Sequence, residues 1–162
     1  MKGIGRTIKR RRQEAKTDYG SRLVMLKSGK PRLVVRKTNS QIIMQIVVSD
    51  LAQDKVISGV TSNSLLEQGW PKELKGSLKG LAAAYVTGRI LAEKVKGKVP
   101  EAILDLGMQR NMKKSRIYAA VKGAIDGGLR VKTSEEVLPT LDEIKKRSNE
   151  KVQKVFDKLK DK

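Results

Sequence analysis

The spacing of apolar residues changes period along the chain, and each change predicts a different kind of element. In Gln41-Ile42-Ile43-Met44-Gln45-Ile46-Val47-Val48, alternation puts Ile42, Met44, Ile46 and Val48 on one face, as a half-buried strand requires. The preceding run Arg32-Leu33-Val34-Val35-Arg36-Lys37 is β-branched enough for a second strand. Thr38-Asn39-Ser40 supplies turn chemistry between the two, so they pair as a hairpin. A strand over 56–61 extends this to an antiparallel meander, and one or two helical turns over 62–68 end at Gly69. From Leu81 the period becomes helical: Leu81, Ala84, Tyr85, Gly88, Leu91, Ala92 and Val95 share a face whose small residues permit close packing on the sheet. Ala102-Ile103-Leu104-Asp105-Leu106 reads as a buried strand reached by this helical crossover, with Asp105-Leu106-Gly107 at its carboxyl end. Ser115 then caps a helix with Ile117, Ala120, Val121 and Ala124 inside and Gly127-Gly128 at its end; Leu129-Arg130-Val131 is one more short strand.

The two ends read differently. Residues 1–16 carry only Ile4 and Ile8 as bulky apolar groups, too few for burial, and are expected to stay disordered until a partner orders them. Thr17 or Asp18 caps a short helix with Tyr19, Leu23 and Leu26 on one face and Gly29 as its stop. Thr140-Leu141-Asp142-Glu143 has capping-box spacing, and Leu141, Ile144, Ser148, Val152, Val155, Phe156 and Leu159 trace the stripe of one amphipathic helix. The expected organisation is a basic arm over 1–16, a mixed α/β domain over 17–139 and a C-terminal helix over 140–162. The domain's mixed sheet is a meander plus a crossover-connected strand, with helices packed on it.

Charge sharpens this picture. The formal net charge is +19, and positions 1–40 hold thirteen Lys and Arg against Glu14 and Asp18. A second excess, seven basic residues against Asp126, occupies 109–134, and the stretches between and after are close to neutral. Segregated positive charge of this size recruits polyanions and repels itself when none is bound, which points to nucleic acid. Cysteine and histidine are both absent, removing disulfides, thiolate and imidazole metal sites, and imidazole acid–base catalysis. No apolar run approaches the ~20 residues of a bilayer span, and the first residues lack the apolar core of a signal peptide, so a soluble intracellular protein without membrane partner or cofactor is expected.

Three constellations are candidates for the polyanion. Lys9, Arg10, Arg11 and Arg12 on the arm suit phosphates without sequence choice, although a solvated tail has the same composition. Arg32 and Arg36 share one side of a strand, near Lys37 and Asn39; the plain alternative is a solvated sheet face and a turn residue. Arg110, Lys113, Lys114, Ser115 and Arg116 form a basic loop running into a helix N-terminus, where free backbone N–H groups favour an anion. Arg22 on the first helix joins the set. The five aromatic residues are scattered, so RNA read by shape and backbone fits better than a stacking platform. An enzyme using Asp105 and Mg²⁺ is the poorest alternative, since one carboxylate in positive surroundings is a weak ion site.

Several strings then occur in order: Arg11-Arg12-x-Glu14-x-Lys16-Thr17-Asp18-Tyr19, the stretch from Pro31 to Asn39, Ala83-Ala84-Tyr85-Val86-Thr87-Gly88, Leu104-Asp105-Leu106-Gly107, the stretch from Lys114 to Ala124, and Asp126-Gly127-Gly128-Leu129. Over about residues 9–139 the chain resembles the archaeal and eukaryotic type of large-subunit ribosomal protein eighteen, the 5S rRNA-binding family. The resemblance implies a mixed α/β domain in the central protuberance, between 5S rRNA, the large-subunit rRNA and neighbouring ribosomal proteins including ribosomal protein five. It implies cytoplasmic ribosomes as the location and RNA contacts at Arg11, Arg12, Lys16, Thr17, Tyr19, Arg32, Arg36, Lys37, Asn39, Arg110, Lys113, Ser115 and Arg116. Lys114 stands where the family commonly has glycine. The different-class alternative is a general basic nucleic-acid-binding protein or RNA chaperone.

Overall fold

The computed structural model describes residues 7–50 and 53–160; the first six residues of the basic arm and loop positions 51 and 52 lie outside the described residues. Five strands, β1 (Arg32–Lys37), β2 (Ile42–Asp50), β3 (Gln53–Thr61), β4 (Glu101–Asp105) and β5 (Arg130–Val131), form one sheet in the order β3-β2-β1-β4-β5. The meander is antiparallel, whereas β4 runs parallel to β1 and β5 parallel to β4, so the mixed sheet expected from the sequence is the one observed. Leu33, Val35, Ile42, Met44 and Ile46 are fully buried on the core face. Val48, expected among them, is only half-buried. Val47 is buried instead, directly opposite Arg32 and therefore on the reverse face. Between the Ile46↔Ser58 and Val47↔Val56 pairs, β3 holds the extra residue Ile57, a bulge that leaves this apolar side chain exposed on an edge strand.

The helix over Leu81–Val95 (numbered α3 in chain order) crosses from the meander to β4 and packs on α4 (Arg116–Asp126). It also meets β2 and β3, as expected, and among its small residues Gly88 serves the contact with α4. A Cβ built on Gly123 would lie 1.9 Å from the Tyr85 carbonyl oxygen, and one on Gly88 would lie 2.1 Å from that of Ala120. The two backbones meet where neither helix has a side chain.

In chain order α1 is Arg10–Gln13 and α2 is Tyr19–Lys27. Asp18 caps α2, its carboxylate accepting from the amides of Gly20 (2.9 Å) and Ser21 (3.3 Å), and Gly29 turns the chain away at φ +64°. Its expected core face is absent: Leu23 is 53% and Val24 70% exposed, and no residue of α2 is buried. A 3₁₀ helix over Ser62–Leu66 matches expectation; a second, over Lys72–Lys79, was not foreseen. The C-terminal stripe is one continuous pattern but two helices, α5 (Leu141–Lys146) and α6 (Glu150–Lys160). The break is made by side chains: Ser148 Oγ bonds the Ile144 carbonyl, and Gln153 Nε2 donates to the carbonyls of Lys145 and Ser148. Both helices belong to the core through Ile144, Val152 and Phe156, with the Phe156 ring 5.5 Å from that of Tyr85 in an edge contact. No helix among the described residues is long and apolar enough to cross a membrane.

Candidate nucleic-acid interface

The reverse face of the sheet carries a chain of alternating charge. Arg32 donates from Nη1 to Asp105 (3.0 Å) and from Nη2 to Asp54 (2.6 Å), with its side chain only 3% exposed. Asp105, the last residue of β4, also accepts from Arg36 Nη2 (2.8 Å) and the Gly107 amide (2.9 Å). Arg36 Nη1 binds the Asp105 carbonyl at 2.6 Å. Arg22 on α2 completes the series with a 2.8 Å bond to Asp54. Burial pushes the Asp54 carboxyl up, but hydrogen bonds from Ser49, Arg32 and Arg22 outweigh it and hold the group below the ordinary value of 3.8. Arg22–Asp54–Arg32–Asp105–Arg36 thus rivets α2, β3, β1 and β4 together. Arg32 and Arg36 do project together, as alternation requires, but Arg32 is closed to solvent. Its guanidinium is buried and taken by two carboxylates.

Above this network lies a cleft of about 340 Å³, lined by Arg11, Lys16, Thr17 and Arg22 on one side and Arg36 and Gly107 on the other. The arm reaches it by folding back. One helical turn, α1, carries Arg10, Arg11 and Arg12, with Lys9 at its N-cap; Ala15 reverses the chain at φ +50°, and the Lys16 and Thr17 amides return to the Arg11 carbonyl. Arg11 Nε then donates to Thr17 Oγ1 at 2.9 Å, and Lys9 Nζ sits 4.6 Å over the Tyr19 ring. The side chains of Lys9, Arg10, Arg11 and Arg12 stay exposed. Glu14 takes up part of this charge through Lys16 (2.8 Å) and Arg10 (3.7 Å).

The parallel pairing of β4 with β1 brings the second basic segment to the same edge, and one side chain fastens it there. Gln109 accepts from the Lys37 amide (3.1 Å) and donates to the Lys37 carbonyl (3.0 Å), clamping the loop after β4 to the end of β1. Asn111 accepts from the Tyr118 hydroxyl at 2.7 Å. Lys37 and Arg110 are exposed. Asn39 is exposed in the hairpin turn that Thr38 and Gln41 close. The rest of the loop is more restrained than its composition suggested. Lys113 lies 3.6 Å from Glu136, Lys114 bonds Glu143, and Arg116 Nη1 donates to the Lys79 carbonyl at 3.3 Å. Ser115 occupies the N-cap of α4 in extended conformation, yet its Oγ makes no capping bond and is buried without a partner in the structure. Gln109 and Asp54 carry no signal as site residues in the sequence, and Glu143 is marked there only by its capping-box spacing, because a clamp between distant segments leaves no local signature.

The pattern of the family described as "Ribosomal large subunit proteins 60S L5, and 50S L18" matches residues 6–100 and 96–134. The large ribosomal subunit protein uL18 of Korarchaeum cryptofilum is 47% identical over 137 residues, 84% of this chain and 68% of that one. The uL18 proteins of Methanoculleus marisnigri (44%; 84% and 76%) and Thermofilum pendens (42%; 84% and 68%) align over the same length. The chain belongs to the uL18 family. Proteins of this family are structural ribosomal proteins, not enzymes. The Asp105 environment agrees: both carboxylate oxygens are held by guanidinium groups, a poor donor set for a divalent cation. Lys114, standing where the resemblance put glycine, adopts φ +53°, the left-handed conformation that glycine takes without strain. The family match ends at 134, so α5 and α6 lie beyond it.

Proposed function

We propose that this protein binds 5S rRNA and fastens it to the large-subunit rRNA in the central protuberance, beside ribosomal protein five. The observation that carries the reading is the Gln109 clamp on Lys37, which joins the second basic segment to the strand ends where the folded arm lies. Arg10, Arg11, Arg12 and Lys16 from the arm, with Arg36, Lys37, Arg110 and Arg116 from the strand ends and loop, supply the phosphate contacts. Thr17 and Asn39 offer neutral hydrogen bonds along the same edge. Affinity comes from counterion release at these cations, and selectivity from the shape of a folded RNA against a rigid sheet.

The test is the triple change of Arg10, Arg11 and Arg12 to Ala. These side chains are exposed and outside the core, so the thermal midpoint stays within a degree or so of the parent. Binding to 5S rRNA weakens, and the slope of log affinity against log salt falls by about 2. An unchanged slope removes the arm from the interface. Equal displacement of 5S rRNA by tRNA or duplex DNA at matched phosphate concentration would replace the proposal with a general nucleic-acid coater.

A further inference from the structure

Two features of the basic loop are not explained by its own sequence. Lys114 holds a left-handed backbone conformation that disfavours any residue with a Cβ, and it does so one residue before the N-cap of α4. Its polar groups all turn to one place. The Lys114 amide donates to the Val137 carbonyl at 2.9 Å, its Nζ bonds Glu143 Oε1 at 2.5 Å, and its carbonyl accepts from Arg147 Nη1 at 3.4 Å. Lys113, one residue before, faces Glu136. These partners all come from 136–147, beyond the family match.

That segment is itself firmly seated. Ile144, Val152 and Phe156 are in the core, and Glu143 closes the capping box of α5, its Oε2 accepting from the Thr140 amide at 3.1 Å while Oε1 holds Lys114. We infer that the C-terminal helix pair is a buttress for the basic loop: Glu143 and Arg147 are positioning residues that fix the Lys114 backbone, and through it the placement of Arg110, Lys113 and Arg116 for RNA. The inference rests on the proposal that this loop contacts RNA. The opposite possibility, that Glu136 and Glu143 compete with phosphate for Lys113 and Lys114, predicts tighter RNA binding when the acids are neutralised.

The experiment uses the full chain with Glu143→Gln, which keeps an acceptor for the capping box, alone and combined with Arg147→Ala. Arg110→Ala serves as the control for the loop's RNA contact. Amide hydrogen exchange over 109–116 reads loop conformation, and 5S rRNA titrations at several salt concentrations read binding. In the double variant we expect exchange about five- to tenfold faster over 109–116 and 5S rRNA affinity about three- to tenfold weaker, with the Tyr85 and Phe156 region still protected. Glu143→Gln alone moves both in the same direction by less. Unchanged exchange, unchanged affinity in the presence of an Arg110→Ala effect, or tighter binding would each overturn the buttress. If Arg110→Ala itself leaves affinity and salt slope untouched, the failure is that of the loop's place in the RNA interface, and the positioning role falls with it.

Discussion

Replacing Arg32 by methionine separates the two kinds of arginine in this protein. Methionine keeps most of the stem volume and deletes only the guanidinium, whose partners are Asp54 at 2.6 Å, Asp105 at 3.0 Å and Ser49 at 3.4 Å. Breaking one side of a buried ion pair costs about 3–5 kcal/mol, because the remaining charge stays buried without compensation. Here Asp105 keeps Arg36 and the Gly107 amide, and Asp54 keeps Arg22, so a loss of about 2–3 kcal/mol is expected. For a chain of this length that lowers the thermal midpoint by roughly 5–10 °C. RNA binding by the folded fraction should keep its salt slope, since no phosphate contact is lost. Arg11→Ala should do the reverse, leaving the midpoint in place and reducing the slope by about 0.7–0.9. Circular dichroism melting and 5S rRNA titration across salt measure the two quantities. An Arg32→Met protein with a normal midpoint and a slope lowered like that of Arg11→Ala would refute the assignment of Arg32 to the interior.

Three other outcomes follow from the packing and the charges. Phe156→Ala removes a fully buried ring that meets Tyr85 edge-on and should cost about 3–5 kcal/mol in denaturant unfolding; a change below 1 kcal/mol would mean that α6 does not share the core. Gly123→Ala places a methyl group 1.9 Å from the Tyr85 carbonyl oxygen, a backbone atom that cannot swing away, so about 3 kcal/mol or more is lost and exchange protection in α3 falls. Normal stability would exclude the close approach of α3 and α4. Asp18 and Asp54 are held below their ordinary 3.8 in the folded state, Asp18 chiefly by the Ser21 hydroxyl, so their stabilisation is complete above that value and lost as pH falls through the lowered ones. The thermal midpoint should be flat from pH 7 to about 5 and fall below about 4. Asp54→Asn should shrink that acid-side loss, and an unaltered acid limb would show that the Asp54 pairs do not stabilise the fold.

The parts of the fold that were legible in the sequence are those encoded by local period. Alternation in 32–48 defined the hairpin, the shift at Leu81 marked the crossover, and Gly127-Gly128 ended α4. What alternation could not convey is which face each strand buries most deeply. Arg32 was assigned correctly to the side of Val34 and Arg36, but its partners lie 22 and 73 residues away, so an exposed guanidinium and a buried one read alike. The C-terminal stripe misled for a related reason. Its apolar period continues through Ser148, whereas the chain breaks there because polar side chains capture the carbonyls of 144, 145 and 148. Charge density identified the arm and the 109–116 loop as candidates, but their convergence comes from the parallel pairing of β4 with β1 and is fastened by Gln109, a neutral residue with no signal of its own.

The central claim is that two basic segments, distant in sequence and joined at the ends of β1 and β4, grip one compact RNA. Ultraviolet crosslinking in cells, with both the crosslinked peptide and the crosslinked nucleotide sequenced, tests it most directly. Peptides containing Arg11 and Lys16 and peptides containing Arg110 and Arg116 should both carry 5S rRNA nucleotides that are neighbours in the folded RNA. Crosslinks from only one of the two segments, or reads spread over messenger RNA, would contradict it.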